Sequence, residues 1–371
     1  MKKIKKYVGI AENKKDIISA NSLVKKIFFN GDFNNQFLFP EESLKRENIV
    51  VIKDNESLVA TCFIHNRIFY FKGDKIEASF LSFICVDINS RGQGLSKNLM
   101  NKAIELCEKR NKIVSFVIAR KKADFFYNQF SFFGFSNYPT ITIKSLSKIY
   151  TNETFTFKEI DVTYLPIVGK IYDNIYKFLP GSFYRDQRDW QFILKKSKLL
   201  NVFLKVILDE ENTIIGYIAF KENQIIEFAL KEGVNYTDTI NSFNKNNGFD
   251  SLTFNLGINH PITTYLKEYD ITYTIRKCWY GGHMMRINNE EYFLDKLDKI
   301  GYNKYLQLEG SNSKKMKFDF LLENKLHDFP SSSNIIYNIP FMDQIQIDEN
   351  SIRNCPMGDE LRYFKFKWSA K

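Results

Sequence analysis

The chain has 371 residues, of which 44% are apolar and 16% aromatic, with only 8 prolines and 17 glycines. This composition indicates a globular protein, and the length exceeds the size at which a single hydrophobic core stops growing, so we expect two or three domains. The formal net charge of +10 would suit an acidic partner. Lysine is spread along the whole chain without a basic stripe interleaved with aromatic residues, which argues against nucleic acid as that partner.

Features that are missing from the sequence indicate the compartment of the protein and whether it binds a metal. No run approaches the ~20 apolar residues of a membrane span, and the first residues lack the apolar stretch of a signal peptide, so we expect a cytoplasmic protein. The cysteines are Cys62, Cys85, Cys107, Cys278 and Cys355. They occur singly, and neither they nor the histidines show metal-ligand spacing, which predicts reduced thiols and no metal site.

The first 86 residues predict two helices followed by an antiparallel meander. The helical stretches cover about 15–29 and 40–47 and flank an aromatic-rich loop. Three runs rich in β-branched and aromatic residues follow at about 49–53, 57–71 and 76–86, and polar turn residues separate them.

The stretch from 81 to 100 is the most informative part of the chain. An apolar run ends at Val86, a polar turn follows, and residues with helical spacing begin at Leu95. Between them, Gly92 and Gly94 let the backbone turn sharply and aim successive N–H groups outward at a helix N-terminus, while Arg91 adds a positive charge. The loop is therefore expected to bind an anion such as a diphosphate. It is not a Walker A loop, since no Gly-Lys-Ser/Thr closes it.

This loop resembles the Arg/Gln-x-x-Gly-x-Gly/Ala loop of the GNAT acyl-CoA N-acyltransferases, here Arg91-x-x-Gly94-x-Ser96. The resemblance implies an α+β fold with a mixed, mainly antiparallel sheet flanked by helices, and it implies acetyl-CoA as the acyl donor. The residues expected to hold the donor are Ile84, Cys85 and Val86 through their backbone, together with Arg91, Gly92, Gln93, Gly94, Leu95, Ser96 and Arg120. Many family members have Asn in place of Arg120.

A second segment resembling the family follows a strand predicted at 113–118. The run from Ala123 to Phe132 resembles the helix that carries Phe-Tyr in the family and ends four residues later in Gly-Phe. Tyr127 is then the expected general acid, which protonates the departing CoA thiolate, or else an aromatic residue packed under the sheet. Ser131 stands where the family has Gly, so the alignment alternatively slips by three residues; we prefer the register that keeps Tyr127.

No residue is singled out as the general base. Glu77 and Asp87 flank the central strand and His65 lies on its neighbour, but each is also explained as a structural or solvated group. The aromatic loop residues Phe33, Phe37 and Phe39 either line an acceptor pocket or cover the sheet.

The second half repeats the order of elements without the phosphate loop. Strands are expected at 202–208, 213–220 and 224–230, but only Gly233 remains where the glycine-bearing loop should follow. We therefore expect domains at 1–150, a GNAT catalytic domain; 151–283, a degenerate GNAT-like domain; and 284–371, a C-terminal α+β extension.

Further along, the run from Gly181 to Trp190 and the start of the extension resemble the enhanced-intracellular-survival acetyltransferases. Arg185 and Trp190 are then either interdomain packing residues or substrate contacts. That resemblance also implies that the C-terminal carboxylate of Lys371 reaches the active site. The alternative is that the C-terminal residues form a frayed tail.

The predicted function is transfer of an acetyl or other acyl group from CoA to a primary amine by direct attack. The acceptor is a small molecule or a peptide: an amino sugar, a polyamine, an aminoglycoside-like compound or a protein lysine. The alternative is a non-catalytic acyl-CoA-binding regulator or scaffold, and a third possibility is an enzyme that uses long-chain acyl donors. The sequence does not address the oligomeric state.

Overall fold

The computed structural model describes most of the chain up to residue 299. The described residues are 6–28, 45–71, 73–119, 123–134, 136–144, 155–179, 182–199, 201–256, 260–265, 271–278 and 282–299. Within them the chain forms two seven-stranded sheets with helices on their faces, which confirms the predicted α+β class.

The first sheet carries the predicted meander and the strand that follows it. Its strands, in spatial order, are β1 (Lys6–Ile10), β2 (Ile49–Asp54), β3 (Ser57–Phe71), β4 (Asp74–Val86), β5 (Val114–Ala119), β14 (Gly282–Ile287) and β6 (Phe133–Gly134). Neighbours are antiparallel except β4 and β5, which run parallel. A parallel pair needs a crossover connection, and here it is a helix.

Two helices cover the opposite faces of this sheet, and a short one precedes β6. They are α1 (Lys14–Phe28), α2 (Leu95–Lys109) and α3 (Asp124–Asn128). The apolar residues of α2 predicted from their spacing, from Leu95 to Cys107, are all buried against the sheet, whereas α1 packs Ala20, Leu23 and Val24 on the other face.

The second sheet has the same pattern. Its strands, in spatial order, are β8 (Thr156–Glu159), β9 (Phe203–Leu208), β10 (Ile214–Lys221), β11 (Gln224–Leu230), β12 (Ser251–Phe254), β7 (Ser136–Lys144) and β13 (Ile271–Cys278). The remaining helices are α4 (Leu165–Tyr176), α5 (Gln187–Leu199), α6 (Tyr236–Asn247), α7 (Ile262–Tyr265) and α8 (Glu290–Lys299). Helix α6 connects the parallel strands β11 and β12 as α2 connects β4 and β5.

The two sheets exchange a strand. β7 follows β6 in the chain, yet it pairs with β12 and β13 in the second sheet. β14, which follows the strands of the second sheet, returns to pair with β5 and β6 in the first. We call the two sheets with their helices the first and second units. The boundaries near 150 and 283 stay predictions, but strand pairing crosses both of them, because an apolar pattern predicts a strand without saying which sheet it joins.

The units also contact each other through the end of β3. Tyr70 N donates to Ser182 O at 2.6 Å, and Tyr184 N donates to Ile68 O at 2.9 Å. Nearby, Arg67 Nη1 lies 2.5 Å from Asp189 Oδ1.

Arg185 and Trp190, which the sequence offered as interdomain or substrate residues, lie instead in the core of the second unit. Arg185 forms a bidentate ion pair with Glu227, at 2.7 and 2.6 Å, and both side chains are fully buried. Its guanidinium lies 4.6 Å from the centre of the Trp190 ring.

Candidate active site

The site begins where β4 and β5 separate. Their parallel pairing runs from Ala78 opposite Val114 to Leu81 opposite Val117, and within the described residues β4 continues to Val86 without a partner on that side. Strand edges of this kind present backbone N–H and C=O groups to any extended ligand. The edge is also irregular, because the pairing of β4 with β3 shifts between Thr61 and Phe63 and Phe83 has a φ of 48°.

The loop after β4 leads into a helix N-terminus that has no side-chain cap among the described residues. Gly92 and Gly94 have φ angles of 80° and 72°, and a Cβ on either would meet nothing within 4 Å. Their conformation, rather than lack of space, therefore favours glycine. As the N-cap of α2, Gly94 offers no side-chain cap, and the first turn has no acidic residue. The amides and dipole at this end of α2 are thus available to an anion.

Basic side chains surround the loop. Lys6 Nζ donates to Gln93 Oε1 at 2.7 Å, and Lys26 Nζ lies 2.6 Å from Asp87 Oδ2. The hydrogen bond from Lys26 lowers the pKa of Asp87, which keeps that carboxylate ionised and paired. Arg91 lies at the rim, with its Nε 3.5 Å from Val86 O.

Tyr127 lies across the cleft on α3. It is half-buried, and its ring centre is 5.2 Å from that of Phe126 and 6.3 Å from that of Phe132. Just beyond α3, Ser131 has a φ of 59°, the left-handed conformation in which glycine is usual. This supports the register that places Ser131 at the family's glycine and keeps Tyr127 in its motif position.

One cavity of about 420 Å³ brings these parts together. Of the residues predicted to form the site, those that line it are Ile84, Cys85, Val86, Arg91, Gly92, Gly94, Leu95, Ser96 and Tyr127. Gln93 is not among the lining residues, and Arg120 lies outside the described residues, as do Phe33, Phe37, Phe39 and Lys371.

Sequence reasoning missed several lining residues. Ile27 and Phe28 at the end of α1, Ser82 and Phe83 on β4, and Phe126 on α3 belong to the wall, as do Leu81, Ser90 and Ala123. Ser82 had a signal in the sequence, since it is the one polar residue in the run from Phe80 to Val86. Phe126 is part of the Phe-Tyr motif but had no predicted role in the site, and Ile27, Phe28 and Phe83 read only as core residues.

Comparison with known proteins identifies the part of the chain that carries this cavity. Residues 13–134 match the family model for the acetyltransferase (GNAT) domain. This segment belongs to the GNAT family. No curated protein matches the chain.

Solved structures share the fold over both units. A probable N-acyltransferase from Enterococcus faecalis V583 has a TM-score of 0.62 at 15% identity, covering 79% of this chain and 74% of that one. A GCN5-related N-acetyltransferase from Anabaena variabilis gives 0.60 at 15%, covering 77% and 73%. Eis1 from Mycobacterium abscessus gives 0.58 at 12%, covering 78% and 75%. At these identities the likeness is one of fold.

The expected base candidates of the GNAT domain lie in different environments. Glu77 Oε2 lies 2.5 Å from Lys112 Nζ, and Asp87 is paired with Lys26, so both carboxylates are engaged in ion pairs. Burial, with a smaller contribution from the charge of Arg67, lowers the pKa of His65 to about 3. His65 is therefore neutral near pH 7. None of the three lines the cavity.

The corresponding place in the second unit is filled by side chains. Among the described residues, β11 and β12 pair only at Gln224 and Ile225 of β11. Beyond this point the side chains of Tyr176 and His260 form hydrogen bonds with the backbone of Phe228. The Tyr176 hydroxyl lies 3.3 Å from Phe228 N and 3.4 Å from Phe228 O, and His260 Nε2 lies 2.7 Å from the same carbonyl oxygen.

The start of α6 is occupied as well. The Asn235 side chain accepts from the amides of Thr237 and Asp238, at 2.7 and 3.2 Å, and Asp238 adds a negative charge to the first turn. The amides that α2 leaves available are thus used within the protein here, and the charge disfavours an anion.

No group of three or more His, Cys, Asp or Glu residues in the described part of the chain is arranged to hold a metal ion. No helix among those residues is both long and apolar enough to cross a bilayer.

Proposed function

We propose that the chain is an N-acyltransferase that moves an acyl group, acetyl in the simplest case, from CoA to a primary amine. The observation that carries this proposal is one cavity that joins the open edge of β4, the uncapped start of α2 and Tyr127. It offers an extended edge, an anion site and a hydroxyl, which are the three groups that an acyl-CoA thioester needs.

In this proposal the diphosphate binds at residues Arg91 to Ser96, against the amides and dipole of α2. The pantetheine arm runs along the backbone of Ile84 to Val86 as an added strand. This places the thioester near the point where β4 and β5 separate, on the side where Tyr127 lines the cavity. Arg120 remains a predicted contact of the donor.

The chemical step is direct attack of the amine on the thioester carbonyl. A C–N bond forms and the C–S bond breaks, so the nitrogen must lose one proton and the sulfur must gain one. Tyr127 supplies the proton to the thiolate, and its phenolate regains the proton that the nitrogen sheds, directly or through water. The net reaction consumes no other reagent.

The second unit is proposed to be a degenerate GNAT-like domain without a donor site. The engaged backbone of Phe228 and the Asn235 cap support this assignment. We keep 1–150, 151–283 and 284–371 as the proposed domains, with the exchanged strands β7 and β14 tying the first two together.

The first test is calorimetric titration of the full chain with acetyl-CoA, with free CoA as the comparison. Thiol release is then followed with a panel of primary amines: 2-phenylethylamine, spermidine, glucosamine and a lysine-containing peptide. We expect one acetyl-CoA site per chain and thiol release with at least one amine. Binding without turnover would favour a non-catalytic acyl-CoA-binding protein, and absence of binding would overturn the proposal.

Tyr127 is tested separately. Tyr127→Phe removes only the hydroxyl, so acetyl-CoA affinity should persist while turnover falls by about a hundredfold or more. Tyr164→Phe, at a partly buried tyrosine of the second unit, is the matched control and should keep full activity. Full turnover by Tyr127→Phe would assign the proton to another group.

A further inference from the structure

A buried histidine of the first unit contacts a serine that lines the proposed cleft. His65 Nε2 lies 2.5 Å from Ser82 Oγ. His65 lies opposite Phe80 in the antiparallel ladder, so Ser82, two residues further along β4, is its diagonal neighbour on the same face of the sheet. Only 1% of His65 and 2% of Ser82 is exposed to solvent.

The position of Ser82 relates it to the reacting atoms. It is the first residue of β4 beyond Leu81, the last residue paired with β5, and so it lies at the apex of the cleft. The side-chain oxygens among the cavity-lining residues belong to Ser82, Ser90, Ser96 and Tyr127. Ser90 and Ser96 flank the phosphate loop. Ser82 and Tyr127 therefore carry the two cavity-lining hydroxyl groups that can take part in the reaction at the apex.

The chemical requirement at the apex is a hydrogen-bond acceptor. The loop amides and Arg91 donate to the phosphates, and Tyr127 donates to sulfur in the proposed mechanism. The attacking amine needs a partner that accepts from its N–H group so that its lone pair is directed at the carbonyl carbon. Asp87 is engaged by Lys26, and Glu77 by Lys112.

We propose that Ser82 binds the amine of the acceptor, accepting a hydrogen bond from its nitrogen while its own hydroxyl donates to His65 Nε2. The Ser82 lone pairs then face the cleft. His65 is a positioning residue, because it acts only through the orientation of Ser82. Burial and the nearby Arg67 disfavour its protonated form, so it accepts this hydrogen bond as a neutral imidazole and does not store the proton of the reaction. This inference rests on the proposed acyl transfer.

The test uses the full chain, acetyl-CoA and the fastest amine of the panel. Ser82→Ala should raise the KM for that amine about tenfold, the loss expected for one hydrogen bond, while the acetyl-CoA Kd changes less than about twofold. Ser82→Thr keeps the hydroxyl and should recover most of the affinity for the amine. Ser79→Ala is the matched control: Ser79 is a buried serine of the same strand that does not line the cavity, and its kinetics should be those of the wild type.

His65 supplies the second half of the test. His65→Phe should raise the KM for the amine as Ser82→Ala does, and the double variant should be no worse than either single one, because both changes remove the same interaction. His65→Gln, whose amide can take the place of Nε2, should restore part of the loss. Thermal melting of each variant shows whether it is folded.

Three results would overturn the inference while leaving the proposed function in place. They are an unchanged KM for the amine in Ser82→Ala, an equal loss of acetyl-CoA affinity in that variant, and additive effects in the double variant. Absence of turnover by the wild-type chain with every amine would instead remove the proposed function, and this inference with it.

Discussion

The two units share one topology and differ in what occupies the gap between their parallel strands. In the first unit the edge of β4 borders a cavity, and α2 starts at a glycine that cannot cap it. In the second, Tyr176 and His260 engage the matching edge of β11, and Asn235 caps α6. The same fold therefore forms an open cleft or a packed core, depending on a few side chains.

The two units also differ in how far their ion pairs are exposed to solvent. The second unit buries Arg185 and Glu227 completely, and Tyr217 Oη donates to Glu227 Oε1 at 2.6 Å. The ion pairs beside the cleft of the first unit are more exposed; the Lys26 side chain of the pair with Asp87 is 56% exposed. Desolvation of a buried charge pair is offset in the closed core by the close contacts of Arg185 with Glu227, whereas the charges beside the open cleft stay near water.

The largest effect should come from placing a negative charge in each glycine loop. Gly94→Glu and Gly233→Glu are matched, since both glycines have positive φ (72° and 85°) and neither has an atom within 4 Å of an added Cβ. Gly94→Glu should weaken acetyl-CoA binding by about a hundredfold or more through repulsion of the diphosphate, and Gly233→Glu should leave it unchanged. Calorimetry measures both. Equal weakening would mean that backbone strain, not the diphosphate site, explains the loss.

Next in size is the effect of breaking the buried ion pair. Glu227→Gln leaves the Arg185 guanidinium without its anion in a fully buried site, which should cost about 3–5 kcal/mol of unfolding free energy. Urea denaturation measures this. The control, Glu105→Gln, removes an exposed partner of Lys102 and Lys109 on α2 and should leave the midpoint in place. A small loss in Glu227→Gln would contradict the closed core.

The histidines predict how stability depends on pH. Burial lowers the pKa of His260 to about 4 and that of His65 to about 3, compared with about 6.5 in the unfolded chain. The unfolded state therefore binds more protons below pH 6.5, so the stabilisation is complete above that pH and is lost as the pH falls. As the pH falls from 6.5 to 4, each histidine should lower the free energy of unfolding by about 3 kcal/mol.

Variants assign this pH dependence to each unit. Urea denaturation between pH 6.5 and 4 measures the free energy of unfolding at each pH. This free energy should depend less steeply on pH in His260→Gln and in His65→Gln than in the wild type, which assigns the effect to the second and the first unit respectively. If neither variant changes the slope, burial of these imidazoles is not its cause.

The smallest effect should come from removing the Tyr176 hydroxyl, which contacts the backbone of Phe228 at the edge of β11. Tyr176→Phe should cost about 1 kcal/mol, because the buried N–H and C=O of Phe228 lose a partner, and acetyl-CoA stoichiometry should stay at one. Tyr172→Phe, which removes a hydrogen bond to Phe183 O, is the control for loss of a buried hydroxyl. A second acetyl-CoA site in Tyr176→Phe alone would show that this hydroxyl by itself closes the second unit.

Much of the fold follows from local pattern. The predicted strands at 49–53, 57–71 and 76–86 correspond to β2, β3 and β4, and the helix predicted from Leu95 begins there. Strong periodicity and turn residues make such elements predictable. Ser131 was the exception to the expected motif, and its positive φ shows that the backbone keeps glycine geometry without glycine.

The strand exchange was not predictable in this way. β7 lies in the predicted catalytic domain and most of β14 lies in the predicted extension, yet β7 belongs to the second sheet and β14 to the first. Likewise Ile27, Phe28 and Phe83 read as core residues, and only their three-dimensional arrangement places them around a cavity. Periodicity records which face of an element is apolar, not what that face meets.

The sequence by itself determined the elements, the glycine-bearing loop before α2 and the likeness to the GNAT family, because glycine conformation and apolar spacing are local properties of the chain. The tertiary structure decided which unit has an open cleft, which strands complete each sheet and which serine lies beside the buried His65. These depend on side chains far apart in the sequence, such as Tyr176 and Phe228, that meet only when the chain is folded.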